Sequence, residues 1–204
     1  MMRIEKQGLY DPSYEHDACG VGFVVDIKGG KSHEIVRDAL QVLANLDHRG
    51  ARGAEENTED GAGILIQVPD RFFRESCGLE LPPAGEYAAG MVFVREREAV
   101  TDWLSRFKQV VEAESQVYLG SRLVPTVGSS LGISARTAEP TVVQVFVGKG
   151  KGVGDSTAFA RKLYVIRRRC ELEDSAEGSY FCSLSAGTMV YKGMLTPGQL
   201  PEFY

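Results

Sequence analysis

Residues 141–147, Thr-Val-Val-Gln-Val-Phe-Val, are β-branched or aromatic at every position except Gln144, and this predicts a strand. The flanks of that strand set the fold class. Downstream, a glycine-rich loop over 148–154 leads into a helix over 156–173, where Phe159, Leu163 and Ile166 fall on one face. Tyr180–Ser185 and Thr188–Tyr191 then read as a hairpin turned at Ala186-Gly187. Upstream, a helix from Glu96 to Ala113 turns Val100, Leu104, Phe107 and Val111 inward, and it follows a strand at Ala88–Val94. Hairpins and helices mixed in this way predict an α+β fold of layered sheets and helices.

The first half continues the pattern. Ile64–Val68 is a short apolar strand, and Pro69-Asp70 starts a brief helix containing Phe72 and Phe73. Ser32 is placed to cap a helix whose Val36, Ala39, Leu40, Leu43 and Leu46 share a face, ending near His48-Arg49-Gly50. Gly20-Val-Gly-Phe-Val-Val-Asp26 reads as a further strand. Residues 1–18 are polar and aperiodic and read as a leader. The ending, Met194 to Tyr204, reads as a helix start.

Composition limits the function classes. The 204 residues carry 23 Lys+Arg against 28 Asp+Glu, a formal charge of −5, with 43% apolar and 25% charged residues. That balance argues against nucleic-acid binding, which needs a basic surface. No apolar run approaches the ~20 residues that span a bilayer, and the acidic N-terminal stretch is not a secretory signal. A cytoplasmic protein without membrane or nucleic-acid partners is expected. The four cysteines form no C-x-x-C pair and stand apart from the three histidines, so no metal site is expected; Cys77, Cys170 and Cys182 read as small buried hydrophobes.

Two motifs invite chemistry and decline it. Gly148-Lys-Gly-Lys-Gly-Val-Gly-Asp-Ser-Thr157 lies between a strand and a helix, where a phosphate loop belongs, but Asp155 puts a negative charge where phosphate would sit. It reads as a flexible connector. Arg167-Arg-Arg169 reads as a solvated helix face.

Cys19 is different, because it stands between a leader and a strand that opens on glycine. Cleavage after Ala18 would place a thiol and a free α-amine on one residue. That amine, with a reference pKa of ~7.7–8.0, can accept the thiol proton and leave the thiolate as nucleophile.

The motifs around Cys19 also resemble a known family. Leu9-Tyr-Asp-Pro-Ser-Tyr-Glu-His-Asp-Ala-Cys-Gly-Val-Gly-Phe23, Leu46-Asp-His-Arg-Gly-Ala51, Gly53-Ala-Glu55, Asp60-Gly-Ala-Gly-Ile64, Leu163-Tyr-Val-Ile-Arg-Arg168, Ser183-Leu-Ser185 and Val190-Tyr-Lys-Gly-Met-Leu195 resemble, in order, the amino-terminal glutaminase region of glutamate synthase large chains. The resemblance implies a class-II glutamine amidotransferase of the N-terminal-nucleophile type. Its fold would be an αββα sandwich, here incomplete at the C-terminal end, with residues 1–18 as propeptide and 19–204 as the first part of the domain. It implies Cys19 as nucleophile after removal of 1–18, and Arg49 as an orienting or electrostatic residue near it. Asp60, Gly61 and Gly63 are expected to shape the loop. Glutamine is the implied substrate, with ammonia passed on for glutamate synthesis from 2-oxoglutarate. The implied partners are the remainder of the large chain and a small subunit or ferredoxin. FMN and an iron–sulfur cluster are expected only in absent regions, and no cofactor in this chain.

The departures are informative. The family's Arg-Phe-Ser-Thr-Asn stretch, which holds the glutamine carboxylate, and its His-Asn-Gly-Glu stretch, which supplies the oxyanion hole, are not found; Asn45 and Asn57 are the only asparagines and neither precedes glycine. Loss of one oxyanion donor typically lowers the rate ~100- to 1,000-fold, so little turnover is expected from these 204 residues. Arg52 and Glu59 stand where a small residue and a glycine are expected. A second reading is a non-catalytic module that pairs with a separately encoded remainder of the synthase.

Overall fold

A four-stranded antiparallel sheet organises the molecule. In this computed structural model the described residues are 8, 20–49, 55, 57–173 and 178–204, with Arg49 described in its backbone. The sheet has the order β3 (Val117–Leu123), β4 (Thr141–Gly148), β2 (Tyr87–Val94), β5 (Tyr180–Ser185). The two central strands, β4 and β2, are almost wholly buried and pair in register from Tyr87 opposite Gly148 to Val94 opposite Thr141.

Alternation along these strands separates two cores. Ala88, Val92 and Val94 of β2 and Val143, Val145 and Val147 of β4 face a layer of two helices, α3 (Val100–Ala113) and α5 (Ser156–Glu173). Phe159, Leu163 and Ile166 of α5 are buried there as their spacing requires. On α3, Val100, Phe107 and Val111 are joined by Trp103, which stacks on Phe107 with ring centroids 5.2 Å apart. Tyr87, Ala89 and Met91 of β2 and Val142 and Phe146 of β4 face the other way. They meet a second sheet of two antiparallel strands, β1 (Ala62–Gln67) and β6 (Thr188–Gly193), through Met189, Ile66 and Tyr191, while Phe73 of α2 (Asp70–Ser76) meets Phe146 edge-on at 5.0 Å. With α1 (His33–Asn45) packed against β1, the chain is an α+β fold of helix and sheet layers.

A buried amide joins the layers. Gln144 is fully buried; its Oε1 accepts from Arg122 Nε of β3, and its Nε2 donates to the Tyr191 hydroxyl of β6 at 3.2 Å. Without those partners a buried amide would be costly.

The structure revises three expectations and adds two elements. Residues 20–26 form no strand; the segment has no ladder partner among the described residues, and Val21, Phe23, Val25 and Ile27 are 86, 84, 65 and 99% exposed. The two strands read as a hairpin instead split between sheets: β5 pairs with β2 and β6 with β1. A bulge in β5 accompanies the split, since the register with β2 shifts between Met91 and Val92, and Phe181 and Leu184 consequently both contribute to the helix-side core. The loop after β4 is tied down rather than loose. Lys149 N donates to Glu86 O, Gly150 N donates to Gln116 Oε1, and Asp155 caps α5 by accepting from Ala158 N at 2.7 Å. The aspartate that excludes phosphate is therefore a helix cap. Finally, β3 and the short α4 (Ile133–Thr137) had no signal in the periodicity.

The remaining cysteine expectations hold in part. Cys170 is buried, whereas Cys77 and Cys182 are half-buried. Burial pushes the Cys182 thiol up to about 11 and raises that of Cys77, which favours the protonated form of both. Among the described residues no helix is long and apolar enough to cross a membrane.

Candidate active site

The turn carrying Arg49 follows directly from the end of α1. Ser32 caps the start of that helix by accepting from Ile35 N at 3.2 Å. At its other end Leu46 N bonds to the carbonyls of Val42 and Leu43, and the chain tightens into a 3-10 turn over Asp47–Arg49. His48 Nδ1 donates to Asn45 O at 3.0 Å, so the imidazole braces this turn. The backbone of Arg49 closes the turn. Its guanidinium, Cys19, residues 9–18 and Arg52 lie outside the described residues.

What the structure shows is how the loop beyond Arg49 is held. Glu55 is its anchor: the carboxylate accepts from Ser134 N at 3.2 Å, from Ser134 Oγ at 2.9 Å and from Thr58 Oγ1 at 3.0 Å. These hydrogen bonds, led by the Ser134 amide, hold the Glu55 carboxyl below its ordinary range, because they favour the ionised form. Asn57 O accepts from Gly132 N, which fixes the loop a second time. Glu59 is buried, so the loop accommodates a side chain at the position where a glycine was expected.

The loop enters β1 through two glycines that the backbone demands. Gly61 has φ +139°, and a Cβ there would lie 2.9 Å from Gly193 O; one on Gly63 would lie 2.7 Å from Tyr191 O. Both therefore shape the approach of β1 to β6, the role expected for them.

A third segment closes the arrangement. Thr196 N donates to Gln199 Oε1 at 2.8 Å and Gln199 N donates to Thr196 Oγ1 at 3.3 Å, the reciprocal pair of a capping box, just before α6 (Leu200–Phe203). The Gln199 amide, itself buried, donates to Ser130 O at 2.6 Å and Asn57 O at 3.2 Å. One side chain thus ties the 57–60 loop, the 128–130 turn and the 196–203 segment together. Beside it opens a polar cleft of about 540 Å³ lined by Asp47, Asn57, Ser130, Thr196, Gln199 and Glu202. Asp47 carries the Arg49 turn to the rim of that cleft.

Glu55 and Gln199 were not marked as functional by the sequence. The Thr196-x-x-Gln199 spacing is a recognisable capping signal, whereas the Glu55 contacts to Ser134 join segments far apart in the chain and leave no local trace.

A turn closed by the Arg49 backbone, a glycine-bounded loop and a braced cleft thus come together among the described residues. A family model described as glutamine amidotransferases class-II matches residues 19–204. The chain belongs to the class-II glutamine amidotransferases. Its relatives in this family include the glutamate synthase [NADPH] large chain of Bacillus subtilis, 45% identical over 202 residues, 97% of this chain and 13% of the relative. The glutamate synthase [NADH] of Schizosaccharomyces pombe is 41% identical over 97% of this chain and 10% of its own length. The ferredoxin-dependent glutamate synthase 2 of Synechocystis is 34% identical over 93% and 12%. The amidotransferase chain therefore spans roughly a tenth to an eighth of these relatives.

Proposed function

We propose that the chain is the amino-terminal glutaminase part of a glutamate synthase and releases ammonia from glutamine through Cys19. The family match supports this reading, because it begins at residue 19 and runs to residue 204, and the three relatives named above are all glutamate synthases. In the proposed chemistry, residues 1–18 are removed and the new α-amine takes the Cys19 thiol proton. The thiolate adds to the carboxamide carbon of glutamine, and the carbonyl electron pair moves to oxygen. Collapse of that adduct breaks the C–N bond; the nitrogen leaves as ammonia with the proton held by the amine. A γ-glutamyl thioester remains, and water hydrolyses it to glutamate. Arg49 is assigned an electrostatic role beside the sulfur, carried by the turn that α1 and His48 hold.

Two measurements test the reading. The intact mass of protein from its native host is expected to lack residues 1–18; a mass retaining them removes Cys19 as a terminal nucleophile. Ammonia release from glutamine is expected to be negligible for the 204 residues alone and to appear when the rest of a synthase large chain is supplied. That activity should vanish in Cys19→Ala. Activity that survives Cys19→Ala overturns the assignment.

A further inference from the structure

The carboxamide of Gln199 is buried and has both ends engaged. Its Oε1 accepts from Thr196 N, while its Nε2 donates to Ser130 O and to Asn57 O. These bonds fix the orientation of the amide, because a flip would set Oε1 against two carbonyl oxygens. They also fix the residue type, since a carboxylate has no proton to give either carbonyl. The bond to Asn57 O bears on the site, because Arg49 lies on a stretch held at both ends. On the near side, Leu46 N and His48 Nδ1 hold the Asp47–Arg49 turn. On the far side, Ser134 holds Glu55, and Gly132 N and Gln199 Nε2 hold Asn57 O. Asp47 and Asn57 line one cleft, and Gln199 is part of its wall.

We propose that Gln199 is a positioning residue for glutamine hydrolysis: it fixes the far end of the loop that leaves Arg49, and so sets where the Arg49 guanidinium stands. The inference rests on the reading of Cys19 and Arg49 above and adds a residue remote in sequence from both. A buried amide also stabilises the fold, and a second buried glutamine separates the two roles. Gln116 accepts from Gly150 N at 3.0 Å and donates from Nε2 to Glu114 O at 3.0 Å. It precedes β3, whereas the 128–130 turn follows that strand, and it ties the turn between α3 and β3 to the exit of β4. Replacing either amide leaves buried polar groups unpaired at a comparable cost to the fold. Replacing Gln199 alone loosens the loop beyond Arg49.

The test joins residues 1–204 in one polypeptide to the portion of the Bacillus subtilis large chain that follows its matched segment, and compares Gln199→Glu with Gln116→Glu. Each substitution keeps the side chain's shape and removes its amide protons. Both should lower the unfolding midpoint, so the assays are run well below either one. Gln199→Glu should lower kcat for ammonia release about tenfold or more and change KM for glutamine less than about twofold, because Arg49 is assigned to the sulfur. Gln116→Glu should leave both unchanged. A second readout needs no turnover: the pH midpoint for alkylation of Cys19 by iodoacetamide, followed on the Cys19 peptide by mass spectrometry. It should rise by about half a unit or more in Gln199→Glu, as the guanidinium no longer favours the thiolate, and stay in place in Gln116→Glu. Where Gln199→Glu fails to fold, Gln199→Met, which fills similar space without charge, carries the same expectations. The proposal is overturned if the Cys19 midpoint is unmoved in the Gln199 variant, if Gln116→Glu moves it as far, or if an active parent keeps its kcat or loses KM instead. A parent that releases no ammonia, with the midpoint shifted by Gln199→Glu, removes the glutaminase reading and keeps Gln199 as the residue that positions Arg49.

Discussion

Strand β4 and the segment Gly20–Ile27 carry the same kind of residue, valine and phenylalanine in alternation, and meet opposite fates. In β4 both sides are covered, by the α3–α5 layer on one and by β1, β6 and α2 on the other, and its backbone is paired to β3 and β2. In 20–27 one side rests on α1 and the other is open. Propensity and alternation are alike, so they do not decide the outcome. A strand exists where neighbouring chain supplies both the ladder and the cover, as expected if β-propensity measures packing on a pleated surface.

The contrast is broken most directly at its two phenylalanines. Phe146→Ala should lower the stability of the chain by about 3–5 kcal/mol in chemical denaturation, since it empties the contact with Phe73, whereas Phe23→Ala should change it by less than about 0.5 kcal/mol. Comparable losses would show that 20–27 is packed after all. Next in size is the exit of β4. A Cβ on Gly150 would lie 1.8 Å from Ser115 O, a backbone atom with little room to yield, so Gly150→Ala should lower stability by roughly 1–3 kcal/mol. Gly154→Ala, facing open space, should not, and equal unfolding midpoints for the pair would refute the close approach.

Helix caps sharpen the comparison further. Asp155→Ala should lower global stability by about 1 kcal/mol, because α5 is part of the core. Ser32→Ala should instead raise amide exchange within α1 while leaving the global midpoint nearly unchanged, because α1 buries no residue. A global loss from Ser32→Ala would mean α1 is more tightly coupled than its packing shows. The smallest effect is local. The folded-state pKa of Glu55 lies below its ordinary 4.5, so its anchoring is present above that value and is lost as the pH falls through the lower, folded one. The Ser134 amide resonance should titrate with a midpoint under 4.5 and lose that transition in Glu55→Gln; a midpoint at or above 4.5 contradicts the contact.

Much of the framework was legible. The Thr141 strand, the α5 face of Phe159, Leu163 and Ile166, and the Ser32 cap are local patterns, and each formed as read. What escaped depends on distant partners. Strand β3 hides behind Gly120 and Arg122, a glycine at a register shift and a charge that turns to the buried Gln144. Strands β5 and β6 are separated by only two residues, and no local pattern says that the turn between them passes from one sheet to the other. At the candidate site the motif order led to Arg49 and the glycines, yet the contacts that hold their loop, Glu55 to Ser134 and Gln199 to Asn57, join segments remote in sequence.

The pairing of β1 with β6 has a kinetic consequence. It joins Ala62 to Gly193 and so closes about two-thirds of the chain, whereas β2 and β4 meet across a much shorter interval. Closing the longer loop adds little to the equilibrium cost, which grows only with the logarithm of length, but contacts distant in sequence are slow to form. The four-stranded sheet is thus set to assemble first and the β1–β6 ribbon last. The glycine loop leading into β1 would then take its final shape only when folding is nearly complete, so the region next to Arg49 matures after the core that supports it.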